Sequence, residues 1–147
     1  NELTLAHHDR VTEASQVVVY ELVAEDSAGT PTTSLVSMAA RTKDSRLLPA
    51  GWRADGPHAD ATRPVGTDGD DDFGPGGDVV HYRLELPGLG SSRAVIVAQL
   101  HYQAIPPAWA DGLRDSGTSE AAAFLGAYDS LEKRPETIAV AVEFAEP

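Results

Sequence analysis

The residues best equipped for chemistry crowd into one loop, DGDDDFGPGGD, from Asp68 to Asp78. Asp68, Asp70 and Asp72 recur at alternate positions, and Asp78 closes the segment. Carboxylates spaced one, three and five along a glycine-rich turn gather hard oxygen donors, and such donors suit calcium. The EF-hand pattern then breaks. Phe73 occupies the sixth place, where a glycine makes the sharp turn, and Val79 occupies the twelfth, where a bidentate Glu belongs. The metal expectation is therefore a calcium ion held by Asp68, Asp70, Asp72 and Asp78. The plain reading beside it is a solvated acidic turn whose carboxylates repel one another.

The five histidines are scattered as His7, His8, His58, His81 and His101, with no HxH or HExxH spacing. His7 and His8 are adjacent, so an extended chain turns them to opposite faces and only one can join Asp9 at a common ion. Glu21, Asp44, Glu85 and Asp111 are carboxylates that could pair for acid–base work, but spacing in sequence sets no distance between them. The chain carries no Gly-x-Ser-x-Gly elbow, Walker loop or dinucleotide fingerprint. No catalytic residue is assigned. Trp52, Trp109, Tyr82 and Tyr102 offer rings for a sugar platform; the competing reading packs the tyrosines in the core and uses the tryptophans as loop plugs. Arg46, beside Lys43 and Asp44, is read either as pairing locally or as an internal brace that holds the RLLP turn through a carboxylate.

Bulk properties narrow the field. The chain has 147 residues and a formal net charge of -12. A chain of this length buries roughly 70% of its unfolded surface and is expected to be one domain, 1–147. Such an excess of acid argues against nucleic acid, whose phosphates require Lys and Arg. There are no cysteines, which rules out disulfides and covalent CxxCH haem attachment within these residues. No apolar run reaches the length of a membrane span. The chain opens at Asn1 without a leader and is expected to be part of a longer exported protein.

The elements that must position these groups read mainly as strands. From Asp78 to Pro107 a period-2 pattern runs through Val80, Tyr82, Leu84 and Leu86, and again through Ala94, Ile96, Ala98, Leu100 and Tyr102. Pro87, Gly88, Leu89, Gly90 and Ser91 divide the two runs, so the stretch is expected to form a hairpin with its apolar face in the core. Gln16 to Ala24 is β-branched on both sides and reads as a central strand. Thr32 to Ala40 is a weaker strand, and 53–77 a long surface excursion. Ala108 to Arg114 predicts a turn or two of helix, and Thr118 to Lys133 a full one with Thr118 or Ser119 as cap. Thr137 to Ala145 alternates again and predicts a final strand. The expected fold is mainly β: an antiparallel β-sandwich, jelly-roll or immunoglobulin-like, with a short helical insertion near the C-terminus.

Several segments in order resemble one family. His7-His8-Asp9, QVVVYE from Gln16, KDSRLLPAGW from Lys43, DFGPGGDVVHY from Asp72 and LHYQAIPPAW from Leu100 are similar to the C-terminal, haem-free part of bacterial multihaem cytochrome c family proteins. KDSRLLPAGW is the most specific piece; Ser45 and Trp52 stand where the family pattern has Asn and Phe. The resemblance implies an exported, periplasmic or extracellular, all-β module without catalysis of its own, serving structure or docking. Its implied partners are haem-bearing domains of the same parent, and haem would sit only in those domains. A calcium- or carbohydrate-binding sandwich is the alternative. The oligomeric state is left open.

Overall fold

The computed structural model describes residues 5–86 and 93–145. The expected glycine-rich turn at 87–91 lies outside them. The chain divides into two units, Asn1–Leu84 and Glu85–Pro147. Strands predominate, with three helices and small sheets, and no sheet closes into a barrel among the described residues. No helix there is long and apolar enough to cross a membrane.

In the first unit, β1 (Arg10–Val11), β2 (Leu22–Glu25), β3 (Pro31–Thr32), β4 (Ala40–Asp44) and β5 (His81–Tyr82) form two sheets. β2 lies between β3 and β4 and pairs with both antiparallel, with a register shift between Val23 and Ala24. β1 pairs with β5 in parallel, Arg10 opposite His81 and Val11 opposite Tyr82. The central strand expected from Gln16 is therefore real only from Leu22. Before that, side chains take the backbone groups that a ladder would use. Val19 O accepts from Lys43 Nζ at 3.0 Å and from Ser45 Oγ at 3.1 Å, and Glu21 N donates to Ser45 Oγ at 3.3 Å. Thr32 to Ala40 is mostly a turn instead of a strand. Ser37 N and Met38 N both donate to Ser34 O, which turns Leu35 and Val36 outward.

The interior of this unit is unusually polar. Lys43, Asp44 and Ser45 are buried alongside Val11, Val23, Ala24 and Ala59. Asp44 accepts from Arg46 Nε and Nη2 and from Arg41 Nη1, each at 2.8 Å, so Arg46 makes the local pair with its neighbour Asp44. Its backbone exchanges both hydrogen bonds with Val65. Arg41 also donates to the carbonyls of Asp60 and Arg63, which fastens α1 (Ala59–Thr62) to the sheet. Lys43 Nζ reaches Glu21 Oε1 at 3.1 Å. Buried charge is tolerated only when paired, and each of these is.

In the second unit, β6 (Ala94–Tyr102) pairs antiparallel with β7 (Glu136–Ala145), from Ala94 opposite Ala145 to Tyr102 opposite Glu136. The hairpin expected over Asp78 to Pro107 is thus corrected. Its second arm forms, but its partner is β7, and its first arm shrinks to β5, which pairs with β1. The register gives the reason. β7 sets Val142 against Val97 and Phe144 against Val95, β-branched and aromatic cross-strand contacts that stabilise an antiparallel pair. The expected core assignment is corrected too: Tyr82, Leu100, Tyr102 and Val140 are exposed.

The helical insertion is present as α2 (Pro107–Arg114) and α3 (Ser119–Ser130). Pro107 starts α2 where its missing N–H is unneeded. Thr118 caps α3, its Oγ1 accepting from Ala121 N at 3.2 Å. α3 ends at Ser130, one turn before Lys133. Ala121 is buried, and Phe124 stacks on Tyr128 one turn on, at 5.8 Å between centroids. Arg114 joins the two helices by donating Nη1 and Nη2 to Asp129, each at 3.0 Å.

Burial pushes the Asp44 carboxyl up, but hydrogen bonds and charge from Arg46 and Arg41 outweigh it and hold the group below its ordinary value. A depressed carboxyl stabilises the fold fully above the unfolded value of about 3.9 and loses that contribution as the pH falls through the folded one. Unfolding midpoints in urea should therefore drop below about pH 4, and Asp44→Asn should flatten that drop. Asp44→Ala should cost about 2–3 kcal/mol at neutral pH by the same measurement.

Candidate metal centre

The short parallel pairing of β1 with β5 decides what meets what. His81 N donates to Asp9 O at 2.8 Å and Arg83 N to Val11 O at 2.9 Å. The residues just before β1 are thereby drawn alongside the end of the acidic loop. That loop holds its own shape. Asp70 Oδ1 accepts from Phe73 N at 3.1 Å and Asp72 N at 3.3 Å, an Asx turn, and Asp72 Oδ1 accepts from Val79 N at 3.0 Å. Gly76 has φ 98° and donates its N–H to Leu48 O at 3.0 Å, tying the loop to the RLLP turn. A Cβ there would meet Ala50 at 3.4 Å in a backbone conformation that side chains disfavour.

Two triads result: His7, Asp70 and Asp78, and beside them in sequence Asp9, Asp72 and His81. In each, one donor atom from every residue lies within 4.8 Å of the others. The first is the more enclosed. The side chains of His7 and Asp70 are 3% and 2% exposed, and His7 Nε2 is hydrogen-bonded to Asp70 Oδ2 at 2.6 Å. Phe73 meets the His7 ring edge-on at 5.3 Å. Tyr20 donates its hydroxyl to Asp78 Oδ2 at 2.7 Å. Burial first, then that hydrogen bond and the negative charge of Asp78, push the Tyr20 hydroxyl well above its ordinary range, so it stays a donor. An imidazole with two carboxylates is a donor set for a divalent cation.

The structure sorts the sequence-predicted residues unevenly. Asp70 and Asp78 meet in one triad and Asp72 joins the other, whereas Asp68 is exposed and belongs to neither. His7 joins and His8 does not, as the alternation along an extended chain requires. Asp9 and His81 were weakly placed or unassigned by spacing; the i, i+2 step of His7/Asp9 matching Asp70/Asp72 is the signal for Asp9, and His81 is placed by the β1–β5 pairing. The other candidates are engaged elsewhere. Glu21 meets Lys43, Asp44 meets two arginines, Asp111 meets Arg114, and His101 Nδ1 lies 3.1 Å from Thr137 Oγ1. Trp52 donates Nε1 to Thr62 Oγ1 at 2.9 Å and lines a shallow hollow with Gly56, Pro57 and His58, which fits a loop plug.

Comparison with protein-family models, with curated proteins and with solved structures finds no match.

Removing the Tyr20 hydroxyl leaves the Asp78 carboxylate short of a donor, so Tyr20→Phe should cost about 1–3 kcal/mol in chemical unfolding. Because the folded value is raised, that stability is present below the unfolded value of about 10 and is lost as the pH rises further. Asp78→Asn brings the Tyr20 hydroxyl back towards its ordinary value, so tyrosinate absorbance should begin at lower pH in that variant and the alkaline loss of stability should be shallower than in the parent chain.

Proposed function

We propose that this chain is a non-catalytic docking module of a longer, exported multihaem cytochrome c-like protein, carrying no haem itself. One observation carries the reading. The β6–β7 ribbon presents Val95, Val97, Ile138, Val140, Val142 and Phe144 on one face, all exposed, with Phe144 at 67%. Its opposite face carries Ala94, Ile96, Ala98, Ala139 and Ala141 around Glu143, so both sides are mostly apolar. A two-stranded ribbon is marginal in water, and a contiguous apolar face marks an interaction surface. Strands apolar on both faces belong between layers. In this reading the ribbon becomes an inner layer of an antiparallel β-sandwich, completed on assembly with the parent's haem-bearing domains. The ordered segments around KDSRLLPAGW and LHYQAIPPAW support that partner and the exported location.

A second reading, a cation-binding module, is favoured by the two His–Asp–Asp triads. It is compatible with docking, since the triads belong to the first unit and the ribbon to the second.

The parent gene should encode CxxCH motifs outside these residues. Its haem-bearing part, mixed with this chain, should sediment as a complex. Val97→Lys combined with Val142→Glu should weaken that complex at least tenfold while the chain stays folded, because both side chains are exposed and opposite charges across the strands keep β6 and β7 paired. Undiminished binding by this variant, or a parent without haem motifs, would contradict the reading.

A further inference from the structure

We infer that His7, Asp70 and Asp78 form a binding site for one first-row transition-metal dication, of the zinc or cobalt kind, and not for calcium. The inference is independent of the docking role.

The donor chemistry points there first. Calcium takes six to eight oxygen ligands, usually several carboxylates and carbonyls on a flexible loop. This triad supplies one imidazole and two carboxylates, a nitrogen-containing set that borderline-soft ions prefer. Asp68, the residue that would have extended an all-oxygen calcium loop, is turned away into solvent.

The second observation is independent of composition. His7 Nδ1 and Asp78 Oδ1 are sealed from solvent and have no hydrogen-bond partner among the described residues. His7 is nine-tenths buried and more, at 3% exposure, and its other ring nitrogen already holds Asp70. Burying a polar atom without a partner is unfavourable, and native proteins rarely leave two in one cluster. A dication bound to the triad gives the orphaned Asp78 Oδ1 a partner, whereas His7 Nδ1 keeps none among the described residues.

The surroundings are those of a supported ligand set. Tyr20 donates to Asp78 Oδ2, which leaves Oδ1 for the ion and fixes the carboxylate's orientation. Asp70 is held in the same way, since its Oδ1 accepts two backbone N–H groups of the Asx turn. Phe73 packs on the His7 ring and limits its rotation. Ligand atoms about 2.1 Å from a tetrahedral ion stand about 3.4 Å apart, inside the 4.8 Å spread of this triad. The His7–Asp70 hydrogen bond opens slightly, and metal–ligand bonds replace it. Three protein ligands leave a fourth position for water.

The test titrates chelator-treated chain with ZnCl2, CoCl2 and CaCl2 by calorimetry, with cobalt followed also by its visible absorbance. One zinc or cobalt ion should bind per triad site, at least 100-fold more tightly than calcium. His7→Gln and Asp78→Asn should each weaken zinc at least 100-fold, while Asp68→Asn and His8→Gln leave it unchanged. Circular dichroism reports whether each variant is folded. Should His7→Gln not fold, X-ray absorption of the zinc-loaded parent chain decides, read beside the His81→Gln variant. Imidazole scattering that persists in His81→Gln supports the site. No zinc uptake, uptake lost in His81→Gln but kept in Asp78→Asn, tighter calcium binding, or oxygen-only coordination overturns it.

Discussion

The first unit depends on keeping a buried carboxylate paired. Asp44 lies at the end of β4, inside the unit, and three nitrogens from Arg41 and Arg46 converge on it. An unpaired carboxylate in that place would be costly, so the two arginines cannot wander. Arg41 then fixes α1 through two carbonyls, and the backbone of Asp44 fixes Val65. The neighbours on either side do the same for the other flank, since Lys43 and Ser45 hold Val19 and Glu21. Four consecutive residues, Lys43 to Arg46, thus organise both sides of β4 with polar bonds where a larger domain would use Leu and Ile. Directional bonds of this kind place loops accurately, and the loop that benefits is the one carrying Asp70 and Asp78. Gly76 hangs that loop from Leu48, two residues beyond Arg46.

The second unit is built on a different principle. β6 and β7 are long and mostly apolar on both faces, with a register shift between Leu100 and His101, and their stability comes from cross-strand pairs such as Val97 with Val142. Its large side chains face outward. The first unit satisfies itself through polar contacts, and the second leaves large hydrophobic side chains exposed. The proposed docking role rests on that contrast.

Much of this could be read from the residues, and where reading failed the cause is physical. Alternation placed β6 and β7 within a residue or two, because period 2 is a property of the strand itself. Capping by Thr118 and the Pro107 start were local and equally legible. Pairing was not: alternation says that Ile96 and Tyr82 lie on strands, and it does not say which strand is the partner. Gln16 to Tyr20 looks like a strand by composition, yet its carbonyls are taken by Lys43 and Ser45 from two dozen residues away. The acidic loop was visible as a donor cluster, but the imidazole that changes its metal preference comes from His7, sixty-three residues earlier. Only the β1–β5 pairing brings it there.

The central claim is that polar burial around Asp44 and Ser45 makes the stable heart of the chain while the β6–β7 ribbon lacks its cover. Hydrogen exchange of backbone amides measures this directly. In the chain alone, the amides of Asp44, Ser45 and Val65 should exchange slowest, in step with global unfolding, and those of β6 and β7 should exchange orders of magnitude faster. Ribbon amides as protected as Ser45 would show that the ribbon is already covered, and would contradict the account.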